Sequence, residues 1–295
     1  MSDYLIKSLV HDGQLRAYAI DATQTVSTAQ QYHDTWQSSS AALGRTLIGT
    51  LLLSAASLSG DETLAVNING GGPVGKIIAE GNANGTVRGS IQAPHVKLTL
   101  NKNNKIDVKN AVGTNGFMTV TKDLGLKEPF TGQVPLVSGE LGEDFTYYLA
   151  ASEQIPSAVA LSVFVNNDNS IAAAGGFLLQ VLPDATEEVI ADLEKRLEEL
   201  PLVSEMMLKG KKPEDILDVL FGAENVKILD KMDIKYECKC SKEHFAELMA
   251  TLPKKDLEEL IAKDQGAEAV CHFCNKKYQF DEAELTAILE HSYDK

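Results

Sequence analysis

Short runs of alternating or β-branched residues, separated by turn signals, dominate the first 182 residues. Eight such runs predict strands, at residues 14–20, 63–69, 75–80, 85–92, 116–121, 133–137, 158–165 and 171–181. Clusters of Gly, Asn and Pro, such as those at 70–73 and 166–169, separate them as turns. The pattern predicts an antiparallel or mixed sheet with packed helices, which is an α+β core.

Helical periodicity appears first around a leucine-rich stretch. Leu43, Leu47 and Leu51 recur at helical spacing and predict a buried helix from roughly residue 30 to residue 58. Its most apolar part, 47–58, is about a dozen residues long and contains Gly, Thr and Ser, so it is too short to span a bilayer. We therefore expect a core helix. A second, shorter helix is predicted at 143–152.

From residue 184 to residue 212 the chain becomes acidic and rich in Leu and Glu. Asp184 and Glu187 have the spacing of a capping box, and Pro201 ends the predicted helix. A further helix is predicted at 213–220. The first helix carries an apolar stripe, formed by Val189, Leu193, Leu197 and Leu200. This stripe indicates either an ordinary amphipathic helix or a linker that covers an apolar surface in one state and leaves it in another.

The last part of the chain predicts a small α+β module. A strand and knuckle at 236–240 precede helices at 241–252 and 253–263, and a second knuckle at 271–274 precedes a final helix. Asp281 and Glu284 predict the cap of that helix. Together the segments predict three parts: an α+β core at 1–182, a helical acidic linker at 183–232, and a C-terminal module at 233–295.

Composition and charge narrow the possible roles. The 295 residues are 44% hydrophobic and 23% charged, which is typical of a globular protein with a full core. Residues 1–182 contain 11 basic and 15 acidic side chains, whereas residues 183–295 contain 16 and 27. Such an acidic C-terminal part argues against nucleic-acid binding, because phosphate contacts need Lys and Arg. The N-terminus lacks a secretion signal, so we expect a cytoplasmic protein that does not bind membranes.

All four cysteines fall in the last 58 residues: Cys238, Cys240, Cys271 and Cys274. Their spacing, C-x-C, 30 residues and C-x-x-C, is typical of a four-thiolate site for one tetrahedral Zn²⁺. Each close pair could equally form a disulfide. A module of about 60 residues buries little apolar surface, so a structural metal would contribute directly to its folding.

Other residues near the knuckles leave alternatives open. His244 and His272 could replace a thiolate as ligand, although four cysteines favour an all-sulfur site. Lysines flank both pairs and either favour reactive thiolates or merely offset the negative charge of a zinc-thiolate centre: Lys239, Lys242, Lys276 and Lys277. Spacing alone therefore allows an inert structural zinc or a redox switch.

Motifs for catalysis are weak. The segment 70–76 has the G-x-x-x-x-G-K spacing of a phosphate-binding loop, but Ile77 stands where Mg²⁺ needs Ser or Thr, and a hairpin pattern follows instead of a helix. No H-E-x-x-H or G-x-S-x-G motif is present. We therefore expect that the protein is not an enzyme and needs no nucleotide.

The sequence resembles the redox-regulated 33-kDa heat-shock chaperonins of bacteria over essentially its whole length. The most specific part is the C-x-C first pair, with Ser241 after it. The second pair lies in Val270-Cys271-His272-Phe273-Cys274 and is followed by Tyr278 and Phe280. The glycine turns at 70–75 and 81–89 and the segment 139–144 also match.

The resemblance implies an ATP-independent holdase of the stress response. It implies that Cys238, Cys240, Cys271 and Cys274 bind one Zn²⁺ per chain in the reduced, inactive state. Oxidation by peroxide or hypochlorite, together with heat, would then join Cys238 to Cys240 and Cys271 to Cys274 and release the metal. The module and linker would unfold and uncover apolar surface for unfolding client proteins, with the chain usually a homodimer.

Two hypotheses that assign the protein to other functional classes remain. A constitutive zinc module that binds nucleic acid or a protein partner would fit the cysteine spacing but not the acidic charge. A thiol oxidoreductase would use Cys271 and Cys274 to reduce disulfides.

Overall fold

The chain divides into two compact units, each with its own apolar core. The computed structural model describes residues 2–264 and 266–293. The larger unit comprises residues 1–237 and the smaller unit residues 238–295. Both contain helices and strands, which confirms the predicted α+β class.

The strands of the larger unit form two sheets. They are β1 (Tyr4–Val10), β2 (Leu15–Asp21), β3 (Thr63–Asn69), β4 (Ile77–Asn82), β5 (Thr86–Ile91), β6 (Phe117–Asp123), β7 (Phe130–Pro135), β8 (Ser157–Val165), β9 (Ile171–Val181), β10 (Val226–Asp233) and β11 (Lys235–Tyr236). The first sheet has the order β10-β1-β2-β9-β8 and the second the order β11-β5-β4-β3-β6-β7. Neighbouring strands are antiparallel except β11, which runs parallel to β5.

The helices of the larger unit lie on and between these strands. They are α1 (Thr23–His33), α2 (Gln37–Ser57), α3 (Val108–Val112), α4 (Gly142–Ala151), α5 (Glu187–Glu199), α6 (Val203–Leu208) and α7 (Pro213–Phe221). Two short 3-10 helices, His11–Gly13 and Ala223–Asn225, lie beside them. Helix α2 contacts strands of both sheets and is buried over most of its length.

Small and hydroxyl side chains let α2 occupy this buried position. A Cβ atom on Gly49 would lie 2.4 Å from the ring of Phe145, so only glycine fits at this contact. The hydroxyls of Thr46 and Thr50 donate to the carbonyl oxygens of Ala42 and Thr46, four residues earlier. The helix can therefore bury these two threonines because their hydroxyl hydrogen bonds are made within it.

Helix α2 also has the length and apolar composition of a membrane span, and within the described part of the chain it alone does. However, 89% of the relevant window is buried inside the protein. A core helix of a folded unit has this property, in agreement with the interpretation from the sequence.

The predicted helix at 30–58 is wrong as a single helix. The structure has two helices, α1 and α2, with a break at residues 34–36. Asp34 adopts a left-handed conformation with φ of 49°, and its backbone N–H donates to the Gln30 carbonyl oxygen at the end of α1. Asp is one of the few residues that visit this region readily, so it ends α1 at low cost. Apolar periodicity does not report such a single-residue change.

All eight predicted strands are present, within a few residues of their expected ends. Strands β1 and β10 were not predicted. β1 is buried on both faces, so it lacks the alternation of a half-buried strand. β10 is an edge strand whose side chains are mostly exposed, so it lacks an apolar face. Strand prediction from alternation fails in both situations because it assumes one buried and one solvated face.

Segment 70–76 does not form a phosphate-binding loop. Residue 77 begins β4, where a nucleotide-binding loop would begin a helix. Gly70 and Gly72 instead pack against the backbone of residues 111–113, so closely that a Cβ atom on either would clash. These glycines therefore serve a close backbone contact.

The acidic segment after residue 182 packs on the first sheet. Its side chains Leu193, Val203, Met206, Ile216, Leu217, Leu220 and Phe221 are buried in one apolar cluster with residues of β1, β2 and β9. We call the sheet residues of this cluster the covered sheet face: Tyr4, Ile6, Val10, Leu15, Ala17, Ala19, Phe177 and Leu179. The opposite side of the same strands packs in the central core. The sheet is therefore buried on both sides.

Two details of this segment differ from the sequence prediction. Thr186, not Asp184, caps α5, and its hydroxyl accepts from the backbone N–H of Val189. The short helix α6 lies between the two predicted helices, whereas α7 occurs where it was expected. The predicted capping box of Asp184 and Glu187 is wrong because α5 begins at Glu187, so its N-cap is Thr186, two residues after Asp184.

Polar contacts also hold the segment against the core. The Tyr4 hydroxyl donates to a Glu214 carboxylate oxygen at 2.7 Å, and the Lys231 Nζ atom lies 3.6 Å from the centre of the Tyr4 ring. The Tyr236 hydroxyl donates to the Gly89 carbonyl oxygen at 2.8 Å. The chain is thus attached to both sheets before it enters the smaller unit.

The smaller unit contains short helices and one hairpin. Its elements are α8 (Lys242–Met249), α9 (Lys254–Glu259), a π-helical turn (Leu260–Asp264), β12 (Gly266–Val270), β13 (Lys277–Asp281) and α10 (Glu282–Tyr293). Asp281 and Glu284 form the predicted capping box, in which each side chain accepts from the other's backbone N–H. The hairpin of β12 and β13 was not predicted.

A buried carboxylate fixes the loop before α4. Asp144 accepts the backbone N–H groups of Val137, Ser138, Gly139 and Leu141 at 2.7–3.0 Å. It also lies 3.3 Å from the Ser138 hydroxyl. The Leu141 backbone has a positive φ of 70°, which these hydrogen bonds hold in place. A single side chain therefore accepts hydrogen bonds from four backbone N–H groups of one turn.

We predict that Asp144→Asn destabilises the larger unit by about 2–4 kcal/mol, because an amide nitrogen would face backbone donors in a buried site. Urea unfolding of the full chain, followed through the fluorescence of the single tryptophan Trp36, measures this change. Glu143→Gln is the control: Glu143 is exposed in the same helix turn, and its loss should cost less than about 1 kcal/mol. Equal stabilities of the two variants would contradict the assigned role.

Candidate metal centre

Two separate turns of the smaller unit supply the four cysteines. Cys238 and Cys240 lie directly before α8, whose N-cap is Ser241. Cys271 and Cys274 lie in the tight connection between β12 and β13. In that connection the backbone N–H of Cys271 donates to the Lys276 carbonyl oxygen at 3.0 Å. The hairpin therefore determines the position of the second pair.

The turn at Cys274 depends on a left-handed residue. Asn275 has φ of 55°, and its backbone N–H donates to the Cys271 carbonyl oxygen at 2.8 Å. Asn tolerates this conformation better than most residues. The reversal of the chain turns both sulfurs of the second pair towards the first pair.

The structure brings all four predicted residues together. Their sulfur atoms lie within 4.8 Å of one another, and among the residues that the structure describes this is the one group of His, Cys, Asp or Glu side chains that could hold a metal ion. The Sγ atoms of Cys238 and Cys271 are 3.6 Å apart, and those of Cys240 and Cys274 are 3.3 Å apart. Four sulfurs bound tetrahedrally at the zinc–sulfur bond length would be about 3.8 Å apart. The residues present therefore fit a Zn²⁺ ion in size and chemistry.

The two histidines near the knuckles lie outside this cluster. His244 is exposed, with its Nδ1 atom 3.8 Å from a Glu247 carboxylate oxygen. His272 is exposed on the second turn. Neither belongs to the group whose ligand atoms converge. The geometry thus favours the all-sulfur set over a set with a histidine.

Cys238, Cys240 and Cys274 do not have equal acidities. Burial opposes ionisation of Cys240, but hydrogen bonds from the Tyr278 hydroxyl and the neighbouring thiols outweigh it and lower the pKa of this thiol to about 7. Burial raises the pKa of Cys238 and of Cys274. Of Cys238, Cys240 and Cys274, Cys240 is therefore the one that carries negative charge most readily.

Three of the flanking lysines contact acidic or aromatic side chains. The Nζ atom of Lys242 lies 2.5 Å from a Glu284 oxygen, and that of Lys277 lies 3.0 Å from a Glu268 oxygen. The Nζ atom of Lys276 lies 5.1 Å from the centre of the Tyr278 ring. The leading interactions that favour a thiolate at Cys240 come from Tyr278 and the other thiols.

Tyr278 is the functional candidate that sequence reasoning did not single out. In the sequence, Tyr278 belongs only to the family pattern that follows the second knuckle. Its hydroxyl lies 3.3 Å from the Cys240 sulfur and 2.9 Å from the Cys240 carbonyl oxygen. The alternation of Tyr278 and Phe280 is a strand signal that could have placed both on one buried face, but not beside Cys240.

The smaller unit has few buried side chains that could stabilise this site. Of the side chains that the structure describes in it, five are buried: Leu257, Cys271, Tyr278, Phe280 and Leu285. Cys240 and several half-buried residues pack against the last three. The cysteine cluster is therefore part of the core and lies beside its largest side chains.

Comparisons with known proteins agree with this architecture. The family model described as Hsp33 protein matches residues 3–281. The chain is 61% identical to a 33 kDa chaperonin of Levilactobacillus brevis, with 98% of each chain covered. It is 62% identical to one of Lactiplantibacillus plantarum, with 99% of each covered.

A solved structure shows the same fold. The crystal structure of the 33 kDa chaperonin (heat shock protein 33 homolog) of Thermotoga maritima matches with a TM-score of 0.93 and 36% identity, and all of each chain is covered. The resemblance inferred from the cysteine spacing and glycine turns is thereby confirmed. The chain belongs to the Hsp33 family of 33 kDa chaperonins.

Proposed function

We propose that this chain is a redox-regulated, ATP-independent holdase that is inactive while its four cysteines bind one Zn²⁺. Oxidation would join the cysteines in disulfides and release the metal, and the protein would then bind unfolding client proteins. The observation that carries the proposal is the convergence of four sulfurs within 4.8 Å in a unit with a small apolar core.

The energetic argument compares the metal with the core. The four buried side chains other than Cys271, at about 2 kcal/mol each, contribute on the order of 8 kcal/mol. A structural zinc contributes about 10–16 kcal/mol at neutral pH. The metal would thus equal or exceed the apolar core of the smaller unit, so its loss would remove much of what keeps the unit folded.

The proposed redox chemistry needs only the cysteines and an external oxidant. Two molecules of hydrogen peroxide accept four electrons from four thiolates; with four protons they yield two disulfides and four molecules of water. We propose the pairs Cys238–Cys240 and Cys271–Cys274, as the family resemblance implies. A disulfide sulfur no longer carries the negative charge that holds Zn²⁺, so metal binding ends when both pairs form.

The linker of the proposal is the segment 183–232, between the core at 1–182 and the redox module at 233–295. Its helices pack on the covered sheet face, which consists of apolar side chains of β1, β2 and β9. Within α5 only Leu193 is buried, whereas α6 and α7 each bury several residues. Helix α5 is therefore attached to the sheet more weakly than α6 and α7. If the segment left the sheet, this apolar face would become available to a client. An exposed face of this kind also favours association into a homodimer in the oxidised state.

We predict that peroxide at raised temperature releases one Zn²⁺ per chain and at the same time makes the protein suppress aggregation of a heat-unfolded client. A chromogenic chelator measures the released metal, and light scattering measures client aggregation. Treatment with dithiothreitol and zinc before the assay is the control. Equal protection by the reduced, zinc-loaded protein would exclude the redox switch.

We predict that Cys271→Ser costs several kcal/mol of zinc-binding free energy and loosens residues 238–295, because a serine hydroxyl remains protonated and is a poor zinc ligand. Val270→Ser, at the exposed neighbouring position, is the matched control and should retain the metal. Elemental analysis gives the zinc content, and amide hydrogen exchange reports the order of the unit. Full zinc content in Cys271→Ser would remove this residue from the ligand set.

A further inference from the structure

The Tyr278 side chain meets the cysteine cluster from the side of the hairpin. Its hydroxyl oxygen lies 3.3 Å from the Cys240 sulfur. Strand β13 fixes its position, because Tyr278 pairs with Ala269 of β12 and its side chain is buried. The Phe245 ring of α8 packs against it with 5.2 Å between ring centres. The hydroxyl is therefore held in place by neighbours on two elements.

We propose that Tyr278 is a positioning residue for the metal site: its hydroxyl donates a hydrogen bond to the Cys240 sulfur, tightens metal binding and slows oxidation of this thiolate. The inference rests on the proposed zinc site. It adds a regulatory role for a residue that is neither a ligand nor a redox-active group.

A single hydroxyl proton has two acceptors here, the Cys240 carbonyl oxygen at 2.9 Å and the Cys240 sulfur at 3.3 Å. The carbonyl is neutral, whereas a metal-bound sulfur is a thiolate and carries negative charge. Hydrogen bonds to an ionised acceptor are stronger than those to a neutral one. The charge of the four-thiolate site therefore draws the proton towards sulfur when the metal is bound.

Such a hydrogen bond has two effects on the same lone pairs. It stabilises the thiolate form that binds metal, and outer hydrogen-bond partners of metal ligands typically change metal affinity by about 10–100-fold. It also makes the sulfur a weaker nucleophile, because the donated proton withdraws electron density. Tyr278 thus sets the oxidant concentration at which the site releases zinc. The site keeps its zinc at low oxidant concentration, and oxidation of Cys240 is slower at any given concentration.

The affected step is the first attack on peroxide. The Cys240 thiolate gives an electron pair to one peroxide oxygen, the O–O bond breaks, hydroxide leaves and a sulfenic acid forms. The Cys238 thiolate then attacks the sulfenic sulfur, an S–S bond forms, and a second hydroxide leaves. Sulfur is oxidised and peroxide is reduced in balance. The hydrogen bond from Tyr278 slows the first of these two steps.

The test compares Tyr278→Phe with Tyr293→Phe in the full-length protein. Phenylalanine keeps the ring in the core of the smaller unit and removes only the hydroxyl. The Tyr293 hydroxyl donates to the Leu252 carbonyl oxygen in the same unit and lies outside the cysteine cluster, so its loss controls for a missing tyrosine hydroxyl. Zinc affinity is measured by competition with a chelator of known affinity, and zinc release by peroxide is followed in real time.

We expect Tyr278→Phe to weaken zinc binding by about 10–100-fold and to speed peroxide-driven zinc release by about two- to tenfold. Tyr293→Phe should leave both values unchanged. If Tyr278→Phe binds and releases zinc as the unaltered protein does, the inference is wrong although the zinc site stands. If the unaltered protein contains no zinc, the proposed function itself fails.

Cobalt substitution separates a bond to sulfur from a bond to the carbonyl. The sulfur-to-cobalt charge-transfer band in the near ultraviolet depends on the energy of the sulfur lone pairs. Loss of a hydrogen bond to Cys240 should move this band to longer wavelength in Tyr278→Phe. An unchanged band, with faster zinc release, would show that the hydroxyl serves only the backbone carbonyl, and it would overturn the inference.

Discussion

Four sulfur atoms from two distant turns must meet at one point in the smaller unit, and the rest of that unit is arranged around this requirement. The second pair depends on the left-handed Asn275, which reverses the chain between β12 and β13. The first pair is placed by the start of α8. Because few side chains are buried beside them, the cysteines carry more of the unit's order than cysteines in a large core would.

The larger unit has the opposite character. Helix α2 is buried between strands of both sheets, and its glycines let the backbone approach its neighbours closely. The first sheet is apolar on both faces, and one of them is covered by the acidic segment that follows β9. The covering segment is amphipathic: its apolar side chains pack on the sheet, whereas most of its charged side chains are exposed.

The site brings together two uses of cysteine that usually occur apart. A closed four-sulfur centre is typical of structural zinc, whereas a thiol with a pKa near 7 is typical of reactive cysteines. Both fit here because the Tyr278 hydroxyl and the neighbouring thiols stabilise charge on Cys240. The contacts that stabilise a thiolate at Cys240 therefore favour its binding to a metal ion.

Local signals in the sequence determined the fold class, the positions of most strands, the cap formed by Asp281 and Glu284, and the four cysteines as a group, because each depends on neighbouring residues or on spacing. Tertiary structure alone decided the burial of β1 on both faces, the packing of the acidic segment on the sheet, and the place of Tyr278 beside Cys240. These features depend on contacts between segments far apart in the chain, and neither periodicity nor motif spacing records which surfaces meet.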